Sequence, residues 1–140
     1  MVNVFVLAFL TIGNQLLLVQ RKNASFGDGL YSLVGGKVEQ GETAKQAVRR
    51  EVREETTLDI PEDAFTLVHT LHRNGSETEF IALCFMADIS TLSAPYNHEP
   101  DKHSDMRFFT FDALPKNILP AHEQIIRCVQ QGINYSQHGW

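Results

Sequence analysis

The sequence predicts a domain of the α+β or α/β class, with a mixed β-sheet held between helices. Three observations carry that prediction. β-Branched and aliphatic runs recur on both sides of a central segment; that segment, Thr43 to Thr56, switches to a helical period with no proline or glycine inside it; and a second helical pattern closes the chain. With 140 residues there is room for one substantial core and not for two.

Taken in order, Val2 to Leu10 and Gln15 to Arg21 read as a hairpin, because Gly13-Asn14 between them is a turn signal. The glycine-punctuated stretch Phe26-Gly27-Asp28-Gly29 leads into a short strand, Leu30 to Val34, ending at Gly35-Gly36. The helix over Thr43 to Thr56 follows. Phe65 to Arg73 and Glu79 to Ala87 are two further strands around a turn at Asn74-Gly75. Arg107 to Phe111 is a later strand, and Pro120 to Gln131 a helix that stops at Gly132. The tail, Asn134 to Trp140, carries no decisive pattern: docking on the domain, reaching a partner and staying mobile are all open.

Composition excludes several classes. The longest apolar run, Val4 to Leu10, is far short of the roughly 20 residues of a membrane helix. Twelve Lys and Arg against 17 Asp and Glu give a net charge of −5, the opposite of what binding to a nucleic-acid polymer requires. Cys84 and Cys128 lie far apart with no metal-ligand spacing, as expected of thiols in a reducing compartment. The chain opens Met1-Val2-Asn3 without the basic stretch of a secretory signal. A cytoplasmic enzyme or ligand-binding domain is the expectation.

The central helix carries the chemistry. On a wheel of about 100° per residue, Lys45, Gln46, Arg49, Arg50 and Arg53 share a side that should face water, and Ala44, Ala47, Val48 and Val52 share the side that should face the sheet. Glu51 and Glu55 fall within that apolar sector, with Glu54 at its edge. A solvated helix laced with ion pairs would alternate signs along each face; here the signs segregate. Arg50 and Glu54 make one favourable pair. Glu51–Glu54 and Glu51–Glu55 are like-charge neighbours, each unfavourable by about 0.2–0.5 kcal/mol, and uncompensated carboxylates pushed toward a core cost far more. A divalent cation among the three acids accounts for them, and oxygen ligands select a hard ion, Mg²⁺ or Mn²⁺, over zinc. Gly35 and Gly36 let the backbone approach a ligand and free a carbonyl to coordinate. Gly41 bends the chain before the helix, whose positive N-terminus suits Glu42.

These residues resemble the signature of the Nudix hydrolases, G-x5-E-x7-R-E-U-x-E-E-x-G-U with U a bulky aliphatic residue. Gly36, Glu42, Arg50, Glu51, Val52, Glu54, Glu55 and Leu58 stand in register, eight of nine defined positions. The departure is Thr57 in place of the last glycine. That position favours a left-handed backbone, so a β-branched residue there should make the helix end differently or run longer. Val34 stands where many members carry proline. The resemblance implies the family's α/β/α sandwich with a mixed sheet, as a single domain over residues 1–140. It also implies hydrolysis of a nucleoside diphosphate linked to another group, X. Glu51, Glu54, Glu55 and the Gly35 carbonyl would bind metal, Glu51 or Glu54 would deprotonate the attacking water, and Arg50 would orient the carboxylates through Glu42 or Glu54.

Further residues follow by resemblance or by reach. Asn97-His98-Glu99-Pro100-Asp101-Lys102 resembles the N-x-E-P-x-K segment of the family's nucleoside-triphosphate diphosphatases and nominates Glu99 as an additional metal ligand, with Asp101 and Asp105 as rivals. Arg21, Arg73 and Lys102 could reach a substrate phosphate beside Gly36, and Phe26, Tyr31 or Phe108 could stack on a base. The six histidines show no ligand spacing and are expected to be structural or exposed.

The leading expectation is therefore a Mg²⁺-dependent enzyme (Mn²⁺ as the alternative ion) that cleaves a nucleoside triphosphate, oxidised or non-standard ones included, to monophosphate and pyrophosphate. Entry into the first strand at Val2 favours that reading over a nucleotide-sugar or ADP-ribose diphosphatase. A non-catalytic nucleotide sensor is the third alternative, although such domains usually lose glutamates that this chain keeps. The expected partner is a small nucleotide, with no nucleic-acid polymer and no membrane, in a monomer or homodimer.

Overall fold

The structure, a computed structural model, describes residues 1–75 and 77–140. β1 (Val2–Ile12) and β2 (Gln15–Arg21) form the expected hairpin. They pair beside the turn, at Thr11–Leu16 and Ile12–Gln15, and then splay. Two short strands fill the opening: β3 (Tyr31–Ser32) on β2 and β4 (Val34–Lys37) on β1. The single strand expected over Leu30 to Val34 is thus two, and Gly35 and Gly36 lie inside β4 instead of ending a strand. Glycine suits the interior here because of close approach: a Cβ at Gly35 would stand 2.1 Å from the Val6 carbonyl oxygen.

β5 (Thr66–Asn74), β6 (Glu79–Asp88), β7 (His103–Thr110) and β8 (Tyr135–His138) complete a mixed sheet of order β3-β2-β1-β6-β5-β8, with β4 beside β1 and β7 beside β2. β1 runs parallel to β6 along its length and β8 runs parallel to β5; the other pairings are antiparallel. β7 starts at His103, four residues before the expected Arg107, and the tail docks as β8. There the Trp140 indole N–H donates to the His72 carbonyl at 3.1 Å.

α1 (Ala44–Thr56) and α2 (Pro120–Gln130) cover opposite faces of the sheet. Alternation along β1 assigns the faces. Val6, Ala8 and Leu10 pack with Ala47, Val48 and Val52 of α1, while Leu7 and Phe9 pack with Ala121, Ile125 and Ile126 of α2. The result is the predicted α/β/α sandwich. α1 begins in a capping box, with Thr43 Oγ1 accepting from Gln46 N at 3.1 Å and Gln46 Oε1 accepting from Thr43 N at 2.9 Å.

The helix ends at Thr56, neither extended nor differently closed. Thr57 itself adopts the left-handed conformation (φ 71°), with its amide donating to Arg53 O at 3.0 Å. The expectation of an altered end is corrected: the threonine takes the conformation that glycine would take, at the cost of backbone strain. Among the described residues no helix is long and apolar enough to cross a membrane.

Candidate metal and substrate site

β4 and the last turns of α1 meet where glycine faces glutamate. The Val38 amide donates to Val4 O at 2.9 Å. Antiparallel alternation then leaves the Gly35 amide and carbonyl, opposite Leu7, directed away from β1. The amide donates instead to Glu55 Oε2 at 3.1 Å. At Gly36 a Cβ would lie 2.3 Å from Glu51 Oε1, so glycine leaves the space that the Glu51 carboxylate fills.

Arg50 does not face water as the wheel suggested. Its side chain is 19% exposed and folds across the acids. Nε and Nη2 form a fork to Glu42 at 2.7 and 2.9 Å; Nη1 donates to Glu51 Oε1 at 2.9 Å and reaches Glu54 Oε2 at 3.4 Å, and Nη2 also donates to Lys37 O at 3.2 Å. Three nearby carboxylates pull a long, flexible side chain inward more strongly than its place on the wheel directs it outward. The hydrogen bond from Arg50 holds Glu42 below the usual carboxylate range, and Glu42 in turn raises the Arg50 pKa.

The loop before β7 closes the other side. It satisfies carbonyls at the end of α1: the Tyr96 amide donates to Thr56 O at 3.2 Å and the His98 amide to Glu55 O at 3.1 Å. Asn97 ties the loop together, donating to His103 O at 2.7 Å and accepting from the Glu99 amide at 3.2 Å. The amides of Lys102 and His103 both donate to Glu99 O, at 2.9 and 3.0 Å. This folding presents Glu99 and His103 to Glu55, with one ligand atom from each of the three lying within 4.8 Å of the others. His103 Nε2 is 3.4 Å from Glu55 Oε1, and Lys102 Nζ is 3.3 Å from Glu99 Oε2.

Glu55 is 4% exposed. Burial, then the charges of Glu51 and Glu99, push its pKa well above the usual carboxylate value. Burial also raises Glu51, against the opposing pull of Arg50, and burial lowers His103. A buried carboxylate without a cationic partner is costly, and among the described residues no guanidinium or ammonium contacts Glu55. The His103 Nδ1 is buried without a hydrogen-bond partner among the same residues. A carboxylate-rich set around a cavity of about 480 Å³ fits a divalent cation.

Of the residues singled out in the sequence, Gly35, Gly36, Glu51, Glu55, Glu99, Lys102 and Arg21 line this cavity. Glu54 does not. Its side chain is 49% exposed and turned to Arg50, on the water side of the cluster. Asp101 is exposed, and Asp105 is engaged by the Tyr31 hydroxyl and by Arg107 Nε, the latter at 2.6 Å. Tyr31 and Phe108 belong to the two cores, whereas Phe26 is 57% exposed. Arg73 and Phe26 line a second cavity of about 680 Å³, which shares Arg21, Gly35 and Gly36 with the first. The Arg73 guanidinium lies 5.6 Å from the centre of the Phe26 ring and 5.8 Å from that of Phe80.

Sequence reasoning missed His103 and His122. A search for helical histidine pairs finds neither, because one opens a strand and the other stands alone in the first turn of α2. The one available signal was the adjacency of His103 to the Asn97–Lys102 segment.

Comparison with known proteins adds an independent line. The family model described as the NUDIX domain matches residues 1–129. The chain is 37% identical over 103 residues to the oxidized purine nucleoside triphosphate hydrolase of Danio rerio, covering 71% of this chain and 61% of that protein. It is 37% identical over 117 residues to the ADP-ribose pyrophosphatase of Methanocaldococcus jannaschii, covering 81% of this chain and 64% of that protein. It thus spans just under two thirds of the length of both curated relatives. Among solved structures, a MutT NUDIX hydrolase from Burkholderia pseudomallei superposes with a TM-score of 0.81 at 26% identity, over 91% of this chain and 97% of that one.

Proposed function

The chain belongs to the Nudix family, and on that footing we propose that it is a divalent-metal-dependent pyrophosphohydrolase acting on a nucleoside diphosphate linked to X. A nucleoside triphosphate, cleaved to monophosphate and pyrophosphate, is the foremost substrate. The observation that carries this reading is the Glu55 carboxylate, 4% exposed, facing Glu99 and His103 with no cationic side chain upon it among the described residues. Such an arrangement makes physical sense when a doubly charged ion joins it.

In this proposal the Gly35 carbonyl, Glu51, Glu55 and Glu99 hold the ion, with His103 at its edge and Glu54 turning in from the water side. Mg²⁺ is the foremost ion and Mn²⁺ the alternative. Bound there, the ion would neutralise phosphate oxygens and lower the pKa of a water. One of the glutamates would take the proton of the attacking water instead of holding the ion: Glu51, whose carboxylate is fixed by Arg50 and the Gly36 gap, or Glu54. Arg50 acts as a positioning residue through its fork to Glu42. Arg21, between the two cavities, and Lys102 neutralise phosphate oxygens, while Gly36 lets a phosphate approach the backbone. Arg73 reaches the substrate from the second cavity.

The relative named as an ADP-ribose pyrophosphatase, at the same 37% identity, supports a second reading in which X is a sugar phosphate. Incubation with a panel of nucleotides and Mg²⁺, with products resolved, separates the two. Pyrophosphate and monophosphate from triphosphates are expected. Two monophosphate products from ADP-ribose, with triphosphates untouched, would establish the second reading. Tight binding with no turnover of any compound would overturn both in favour of a nucleotide sensor.

A further inference from the structure

The second cavity, of about 680 Å³, opens off the acidic one at Arg21, Gly35 and Gly36 and is large enough for a nucleoside. Its walls include Phe5, Leu7, Leu71 and Phe80. Its polar groups are unusual in sign. Arg21 spends its Nε on the Phe26 carbonyl at 3.0 Å, and neither Arg21 nor Arg73 has a carboxylate partner among the described residues. The Arg73 Nε is buried and unpaired among the same residues. The one carboxylate side chain lining the cavity, among these residues, is that of Glu77, which is exposed.

His122 settles the character of the inner wall. The Leu33 amide donates to its Nδ1 at 3.0 Å, so that nitrogen carries no proton. The neutral ring must then carry its proton on Nε2, and no acceptor among the described residues takes that N–H. Burial, aided by Arg21 and Arg73, lowers the His122 pKa to about 3 and keeps the ring neutral. The residue lining this cavity therefore offers a fixed, uncharged N–H donor beside two guanidinium groups.

We propose that this cavity reads the base of the substrate through a carbonyl oxygen, accepting keto bases over their amino counterparts, with the His122 Nε2–H as the discriminating donor. The inference rests on the nucleotide-hydrolase reading above. A keto oxygen accepts from His122 directly. An exocyclic amino group sets donor against donor and leaves both unpaired in an apolar cavity, which a site built to hydrogen-bond its ligand rejects strongly.

The test uses two nucleotide pairs that present oxygen or an amino group at one ring position: ITP against ATP, and UTP against CTP. The keto member of each pair is expected to have a kcat/KM at least about tenfold higher. His122→Phe should bring the members of each pair within about threefold of one another, by loss on the keto member alone. In parallel, binding of IMP and AMP to the wild-type protein is measured by calorimetry, which needs no turnover. Equal hydrolysis of all four triphosphates, or preference for the amino members, would overturn the proposal while leaving the hydrolase reading intact. IMP binding tighter than AMP with no triphosphate hydrolysed would sustain the cavity's selectivity and overturn the triphosphate reading; no turnover of ADP-ribose either would overturn the hydrolase reading as a whole. If IMP binds no tighter than AMP, His122 is not a base-reading donor.

Discussion

The amide of Gly35 hydrogen-bonds Glu55 Oε2 at 3.1 Å, joining β4 to the last turn of α1 at a carboxylate that is 4% exposed. That bond explains how two glycines inside a strand and a glutamate on the apolar face of a helix belong to one device. The strand releases an amide and a carbonyl because β1 does not use them, and the helix supplies a charge that the fold alone does not neutralise. The site's other positioning contacts can each be broken separately, with different expected outcomes.

Arg50→Lys should be destabilising by about 2–4 kcal/mol and should lower activity. Lysine keeps the charge but cannot reproduce the fork to Glu42, at 2.7 and 2.9 Å, together with the bond to Glu51 at 2.9 Å. Thermal unfolding and steady-state kinetics on the same preparation check this. A lysine variant with wild-type stability would show that the fork does not hold the acids.

Gly36→Ala separates activity from folding. Its Cβ would overlap Glu51 Oε1 at 2.3 Å, and the far end of a glutamate can move aside. Stability should therefore fall by less than about 1 kcal/mol, whereas displacement of Glu51 should lower kcat by on the order of 10²-fold. A variant that keeps wild-type kcat would remove Glu51 from the reaction.

Thr57→Gly should stabilise the protein. A β-branched residue at φ 71° is strained by roughly 1–2 kcal/mol, and glycine relieves this while giving back part in unfolded-chain entropy. The expected gain is about 0.5–1 kcal/mol in chemical denaturation. A loss of stability would mean that the threonine contacts outweigh the strain.

His122 sets an acid limit. Its folded pKa, about 3, lies below the ordinary value of 6.5, so the neutral ring's contribution is present above pH 6.5 and is lost as pH falls toward 3. By about pH 5 the linkage amounts to roughly 2 kcal/mol, and burial of His103 adds in the same direction. Unfolding midpoints between about pH 7 and pH 5 should fall less steeply for His122→Phe than for the wild type. Equal slopes would mean that the folded state does not hold the histidine in its neutral form.

Much of this architecture was legible in the sequence where a local rule and the tertiary fold agree. The hairpin turn at Gly13-Asn14, the uninterrupted helical period up to Thr56 and the segregation of Glu51 and Glu55 onto the apolar face of α1 all follow from period and propensity. The misses share a cause: long-range pairing decided them. Arg50 sits on the polar side of the wheel, yet the carboxylates of Glu42 and Glu51 draw it inward. β3 and β4 are separate strands because the β1–β2 hairpin splays, which no local signal records. Tyr135–His138 becomes a strand only because β5 has a free edge, and His103 joins Glu55 only because the Asn97 loop folds back over the end of α1.

Whether the acids around Glu55 are tolerated because they hold a divalent cation is decided by titrating Mn²⁺ into the wild-type protein and Glu55→Gln and following the free-ion signal by electron paramagnetic resonance. The wild type should bind, and the variant should bind at least about tenfold more weakly. With the ion chelated, the variant should be the more stable of the two near pH 8, because the raised pKa of Glu55 makes its ionised form unfavourable in the fold. That advantage should shrink as pH falls and vanish below about 4.5, where the carboxyl is protonated in both states. Unchanged Mn²⁺ binding in Glu55→Gln, or a chelated variant less stable than the wild type near pH 8, would mean that these acids do not depend on a cation.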